Sequence, residues 1–231
     1  LGLTHRAERT ALTAASFFPR LRSNVRVLRE AHREIGQQAA TGYDVSPAAE
    51  WLLDNFHLIE AQLDEVRAGL PRSYFRALPV LQDEPLAGLP RVYGIAWAFV
   101  AHTDGAFDDE LLGHFLVAYQ ETRELNLCEM WALPTTLRVV LIESLRRLAE
   151  RVAAHKAARE LANLCCDRAA GLTLERLDEL QASLGRRGVG RVFLAQLAQR
   201  LHDRRSTGEP VDPPGLEAWL HAALPDAAEA Q

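Results

Sequence analysis

WLLDNFHLIEAQLDEVRAGLP (Trp51–Pro71), PRVYGIAWAFVAHTD (Pro90–Asp104) and MWALPTTLRVVLIESLRRLAE (Met130–Glu150) decide how this chain folds. In the first stretch Leu52, Phe56, Ile59, Leu63, Val66 and Leu70 are spaced 4, 3, 4, 3, 4, the seam of a helix that buries one narrow face. Ser46 followed by Pro47 is its start signal, and Gly69 with Pro71 its stop. In the second stretch Val92, Tyr93, Ile95, Ala96, Trp97, Phe99 and Val100 leave no polar face, which predicts a central, buried helix. In the third, Pro134 opens the longest helix, running to about Cys166, with Leu137, Val140, Leu141, Leu145, Leu148 and Val152 on its inner face.

Outward from these stretches the helical period continues. A first helix is expected over Thr4–Ser16 and a second from Pro19 to about Gln38, with Leu21, Val25, Leu28, His32 and Ile35 on one face. Asp108 caps a helix to about Arg123, and a short helix covers Leu127–Ala132. Thr173 caps another, Val192, Leu194, Leu197 and Leu201 mark the next, and Leu216, Trp219, Leu220 and Leu224 a last short one. No run alternates as a strand would. The fold class is therefore all-α, a multi-helix bundle or α-hairpin array of about 8–10 helices with no significant β-sheet. The expected divisions are N-terminal helices at 1–42, a main core at 43–170, a C-terminal helical subdomain at 171–224 and a disordered tail at 225–231.

Composition narrows the function classes. A chain of 231 residues with 48% hydrophobic and 25% charged residues can bury a sizeable core. Its net charge of −5 gives no electrostatic footprint for nucleic acid. Lys156 is the only lysine, and we read the abundance of arginine as compositional bias. Cys128, Cys165 and Cys166 suit reduced thiols better than a disulfide framework. The longest uncharged run, Val92–Thr103, is far short of the ~20 residues of a membrane span. The start at Leu1 suggests a piece of something longer that is soluble by itself.

Site candidates are sparse. Glu50, Asp54 and His57 share a helix face at i, i+4 and i+7, and with His102 or Asp104 they are the one candidate metal set; helix capping and pairing compete with it. Asp104, Asp108, Asp109 and Glu110 cluster at a glycine turn without calcium-loop spacing and read as capping residues. Most aromatics fall at core spacing, whereas Tyr43, Tyr74 and Trp219 lie near helix ends and are the candidates for stacking on a sugar or nucleotide. Arg138, Arg146 and Arg147 are expected to pair with Glu143 and Glu150 along one helix. There is no nucleophile elbow, P-loop, dinucleotide fingerprint or zinc-protease motif.

The ordered series WLLDNFHLIEAQL, LPRSYFRALPVL, GLPRVYGIAWAFVAHTD, HFLVAYQ and MWALPTTLRVVLIESLRRLAERV resembles the N-terminal region of the cyclic β-1,2-glucan synthases. VFLAQLAQRL and LEAWLHAAL extend the likeness, so it spans most of residues 45–224, and ELNLCE (Glu124–Glu129) departs from it. The resemblance implies a large inner-membrane glycosyltransferase that polymerises glucose from UDP-glucose and closes the ring. It implies that this segment is cytosolic, ahead of the first span, and non-catalytic, needs no cofactor, and packs on the transferase or serves self-association. No catalytic residue carries over. A glycan- or nucleotide-sugar-binding module and a stand-alone helical adaptor are the alternatives.

Overall fold

The computed structural model describes residues 7–8, 14–40, 46–69, 71–82, 86–103, 105–167, 173–207 and 215–229. Among them the chain is all-α, with nine helices and one minimal strand pair. In order these are β1 (Ala7–Glu8), α1 (Ala14–Ala40), α2 (Pro47–Gly69), α3 (Arg72–Arg76), β2 (Val80–Leu81), α4 (Arg91–His102), α5 (Asp109–Gln120), α6 (Leu127–Asp167), α7 (Leu174–Arg186), α8 (Gly190–Thr207) and α9 (Leu216–Glu229).

Local signals explain most boundaries. The Asp108 carboxylate accepts from the Leu111 amide at 2.9 Å, and the Thr173 hydroxyl accepts from the Arg176 amide at 3.3 Å, each satisfying an orphan donor of the first turn. Pro90 precedes α4, where its missing N–H costs nothing. Asn126 and Glu129 cap α6 reciprocally: the Glu129 amide donates to the Asn126 side chain at 2.9 Å, and the Asn126 amide donates to the Glu129 carboxylate at 3.0 Å.

Several expectations need correction. Prolines do not divide the helices as the sequence suggests: α1 runs through Pro19 and α6 through Pro134. One proline removes a single backbone hydrogen bond, which packing along a long helix outweighs. Within the span expected to be a first helix, Ala7–Glu8 instead pairs antiparallel with Val80–Leu81. Gly69 closes α2 for a different reason than a left-handed cap: a Cβ there would meet the Thr135 hydroxyl at 2.9 Å, so its role is close approach to α6. Backbone of α9 continues to Glu229, past the expected start of the tail at 225; Ala227 and Ala228 are strong helix formers.

The chain forms two compact units, Leu1–Ala149 and Glu150–Gln231. In the first unit the seam of α2 is buried as expected, at Leu52, Phe56, Ile59, Leu63 and Val66. On α4, Val92, Tyr93, Ile95 and Ala96 are wholly enclosed, while Trp97 is only half-buried. Phe17 of α1 stacks against Phe75, their centroids 4.0 Å apart. The second unit has its own core, in which Ala158, Ala162, Cys165 and Cys166 of α6 meet Leu177, Phe193, Leu194, Leu197 and Leu216. Burial holds the two thiols above their ordinary pKa, so they behave as small hydrophobes.

Candidate functional site

Two buried carboxylates organise the first unit. Glu143 of α6 is 1% exposed. It accepts hydrogen bonds from Arg20 Nε at 2.8 Å, Asn24 Nδ2 at 3.2 Å, Tyr93 OH at 2.7 Å and Arg147 Nη2 at 3.2 Å, and it also pairs with Arg20 Nη2. Helices α1, α4 and α6 thus converge on one anion. Burial pushes the carboxyl pKa up, but the hydrogen bonds from Arg20, Tyr93 and Asn24 outweigh it and hold the value down to about 2. The Tyr93 phenol is held well above its usual range by burial and by its bond to Glu143. Over this cluster the Arg147 guanidinium sits 4.0 Å from the Trp97 ring, a cation–π contact.

Glu129, at the start of α6, is fully enclosed. It receives Arg91 Nε at 2.7 Å and also pairs with Arg91 Nη2, while Arg91 Nη2 reaches the Glu124 carbonyl at 3.0 Å. Burial works against the charged Arg91 guanidinium, but the carboxylate beside it keeps its pKa above the ordinary value. Both pairs are bidentate or nearly so, the geometry that gives a buried ion pair its best chance of offsetting desolvation. Chemically they are ties: both carboxylates are enclosed, and each is held by several hydrogen bonds from neighbouring groups.

A groove of about 570 Å³ lies on the same unit between α1 and α2. Leu21, Val25, Leu63 and Val66 form its apolar floor, and Arg22, Arg26, Arg29, Arg33 and Arg67, with one carboxylate, Glu30, among them, its rim. Three rim arginines have surface carboxylate partners: Arg26 with Glu30 at 3.9 Å, Arg29 with Glu60 at 3.3 Å and Arg67 with Asp64 at 2.8 Å. Arg22 and Arg33 have none among the described residues. The i, i+4, i+7, i+11 spacing of the α1 arginines was readable in the sequence; general arginine abundance hid it.

The residues singled out from sequence do not gather. Tyr43 and Asp104 lie outside the described residues. Glu50, Asp54 and His57 are exposed on α2, where His57 Nδ1 lies 3.0 Å from the Asp54 carbonyl oxygen, and His102 is exposed at the end of α4. Among the described residues no three His, Cys, Asp or Glu side chains group as metal ligands. Tyr74 donates its hydroxyl to the Cys128 carbonyl. In the second unit, Trp219 donates its indole N–H to Asp178 at 2.6 Å and packs on that unit's core. Of the residues expected to pair along α6, Arg147 does meet Glu143, whereas Arg138 reaches Gln62 on α2 at 2.9 Å. Local spacing predicts only ion pairs along α6 for Glu143; its partners Arg20 and Asn24 lie more than a hundred positions away, which no local pattern reveals. Several expected core aromatics are exposed: Trp51, Phe107 and, at 75%, Trp131.

Arg91 and Tyr93 lie in the motif stretch PRVYGIAWAF, and Glu143 and Arg147 in MWALPTTLRVVLIESLRR; Arg20, Asn24 and Glu129 lie outside both. In an alignment of 225 residues that covers 94% of the chain, it is 34% identical to the cyclic beta-(1,2)-glucan synthase NdvB of Rhizobium meliloti (strain 1021). The chain matches a segment of a glucan synthase. It spans 8% of NdvB, so the likeness is that of a fragment to a much longer protein. No family model matches the chain. Among the described residues no helix is long and apolar enough to cross a membrane. The likeness read from the motifs thus extends along almost the whole chain.

Proposed function

We propose that these residues are a supporting helical region of a longer cyclic β-1,2-glucan synthase, and that the region acts by folding rather than by chemistry. It lies on the cytoplasmic side of the inner membrane and packs on, or helps assemble, the part of the polypeptide that transfers glucose from UDP-glucose. The single observation that carries this reading is the near end-to-end match to a small fraction of NdvB. The state of the buried acids supports it. A glycosidase or transferase acid must exchange a proton near neutral pH, and Glu143, with its pKa near 2, is held ionised by Arg20, Tyr93 and Asn24.

In-frame deletion of this segment from the longer polypeptide tests the reading. The expected result is loss of glucan output together with loss of assembled, membrane-associated enzyme. A further variant carrying alanine at Asp54, His57 and His102 should retain full output, because no step is assigned to those side chains. Full output from the deletion, or abolished output with normal assembly from the triple variant, would contradict the proposal.

A further inference from the structure

The groove between α1 and α2 has a purpose that neither the fold nor the likeness to NdvB supplies. Its floor is apolar and recessed, and its rim is cationic in a chain whose net charge is −5. The α1 arginines form a line, because residues four, three and four apart fall on one helix face. From Arg22 to Arg33 is eleven residues, about 16 Å along the axis at ~1.5 Å each. Side by side, then, run a row of Leu21 and Val25 and a row of guanidinium groups with the same repeat.

We infer that this groove is the docking site for an acidic amphipathic helix of about three turns, supplied from outside these 231 residues. Its apolar residues would seat over the floor of Leu21, Val25, Leu63 and Val66, which the fold leaves only 2–9% exposed, and its carboxylates would meet Arg22, Arg26, Arg29 and Arg33, which supply most of the attraction. A helix is the occupant whose own 3.6-residue repeat matches cations placed at intervals of three and four residues. A pyrophosphate is too short to engage more than neighbouring turns of the row. A flat membrane surface would touch the guanidinium tips and leave the recessed floor unfilled. The pairs already on the rim are exposed and worth little, so Arg26 and Arg29 can exchange Glu30 and Glu60 for an incoming carboxylate. Arg22 and Arg33 have no such partner to give up among the described residues and set the two ends of the site. The groove keeps this role whether or not the longer polypeptide is a glucan synthase.

The test is fluorescence anisotropy on the purified chain with a labelled model peptide of about 20 residues, long enough to hold a helix. The peptide carries leucine along one seam and glutamate beside it at i, i+4, i+7 and i+11. Its counterpart has lysine for each glutamate. The expected result is binding of the glutamate peptide alone, weakened about tenfold by Arg22→Glu with Arg33→Glu and weakened also by about 0.5 M salt. Both positions are exposed, and unchanged circular dichroism melting verifies that the variant folds. The milder pair Arg22→Gln with Arg33→Gln should show the same direction. Equal binding of the two peptides, or binding indifferent to both variants, would overturn the inference. So would arginine-dependent binding of inorganic pyrophosphate or of phosphatidylglycerol vesicles in place of the peptide. Self-association of the chain that the double variant abolishes would also overturn it, since the occupant would then be a second copy.

Discussion

Replacing Glu143 with alanine should be among the most damaging single changes in the first unit. The carboxylate is 1% exposed and is the common acceptor for Arg20, Asn24, Tyr93 and Arg147. Once it is gone, Arg20 and Arg147 can turn to water, because their side chains are 39% and 44% exposed. Asn24 and Tyr93 cannot, being only 5% and 0% exposed. Each then loses the Glu143 carboxylate as its acceptor in the interior, at about 1–2 kcal/mol apiece. With the lost packing of the side chain the expected cost is about 3–4 kcal/mol, within the range for breaking one side of a buried ion pair. For a protein of this size that is a fall of about 6–16 °C in the transition of the first unit. Differential scanning calorimetry is the right assay, since a chain of two compact units need not melt in one step. The pH dependence gives an independent check. The folded value of about 2 lies below the ordinary 4.5, so the stabilisation is complete above 4.5 and is lost as pH falls through 4.5 towards 2. A gap of that size corresponds to about 3 kcal/mol. Glu143→Gln should melt lower at pH 7 and lose less stability than the parent between pH 5 and about 2.5. A loss for Glu143→Ala under about 1 kcal/mol, with parallel acid profiles for the parent and Glu143→Gln, would refute the reasoning.

Arg91→Ala strands the enclosed Glu129 and frays the start of α6; a cost of about 3–5 kcal/mol is expected by urea unfolding, most of it recovered in the double variant Arg91→Met with Glu129→Leu. Gly69→Ala drives a Cβ into the buried Thr135 hydroxyl and should destabilise by about 1–2 kcal/mol in thermal melting, relieved by Thr135→Ala. From sequence, Trp97→Ala looks like a full core deletion of about 3–5 kcal/mol, but Trp97 is half-buried beneath Arg147, so about 1–3 kcal/mol is expected. Trp131→Ser, at a side chain 75% exposed, should change the melting temperature by no more than about 0.5 kcal/mol equivalent.

The helices were legible because their signals are local. Ser46-Pro47, Asp108 and Thr173 each mark a start that hydrogen-bond geometry repeats, and the 4-3-4-3 seam from Leu52 to Val66 is the buried face of α2. What sequence could not supply is long-range. Pro19 and Pro134 look like helix starts because a proline's local cost is visible and the packing that outweighs it is not. Glu143 beside Arg146 and Arg147 fits a surface ion pair, and only the distant Arg20, Asn24 and Tyr93 turn it into a buried anchor. Trp51, Phe107 and Trp131 have helical spacing like core aromatics, yet face outward, since periodicity identifies a face without saying what covers it. The groove is the reverse case. Its arginine repeat is plain in α1, but its meaning depends on the floor that α2 adds through Leu63 and Val66.

The central claim is that these residues work as a supporting part of a much longer synthase. An immunoblot of membrane and soluble fractions from the source cells, with an antibody raised against this chain, tests that most directly. The account expects one membrane-bound band of a mass far above 25.7 kDa, absent after in-frame deletion of the segment. A soluble band near 25.7 kDa, with none in the membrane fraction, would contradict it.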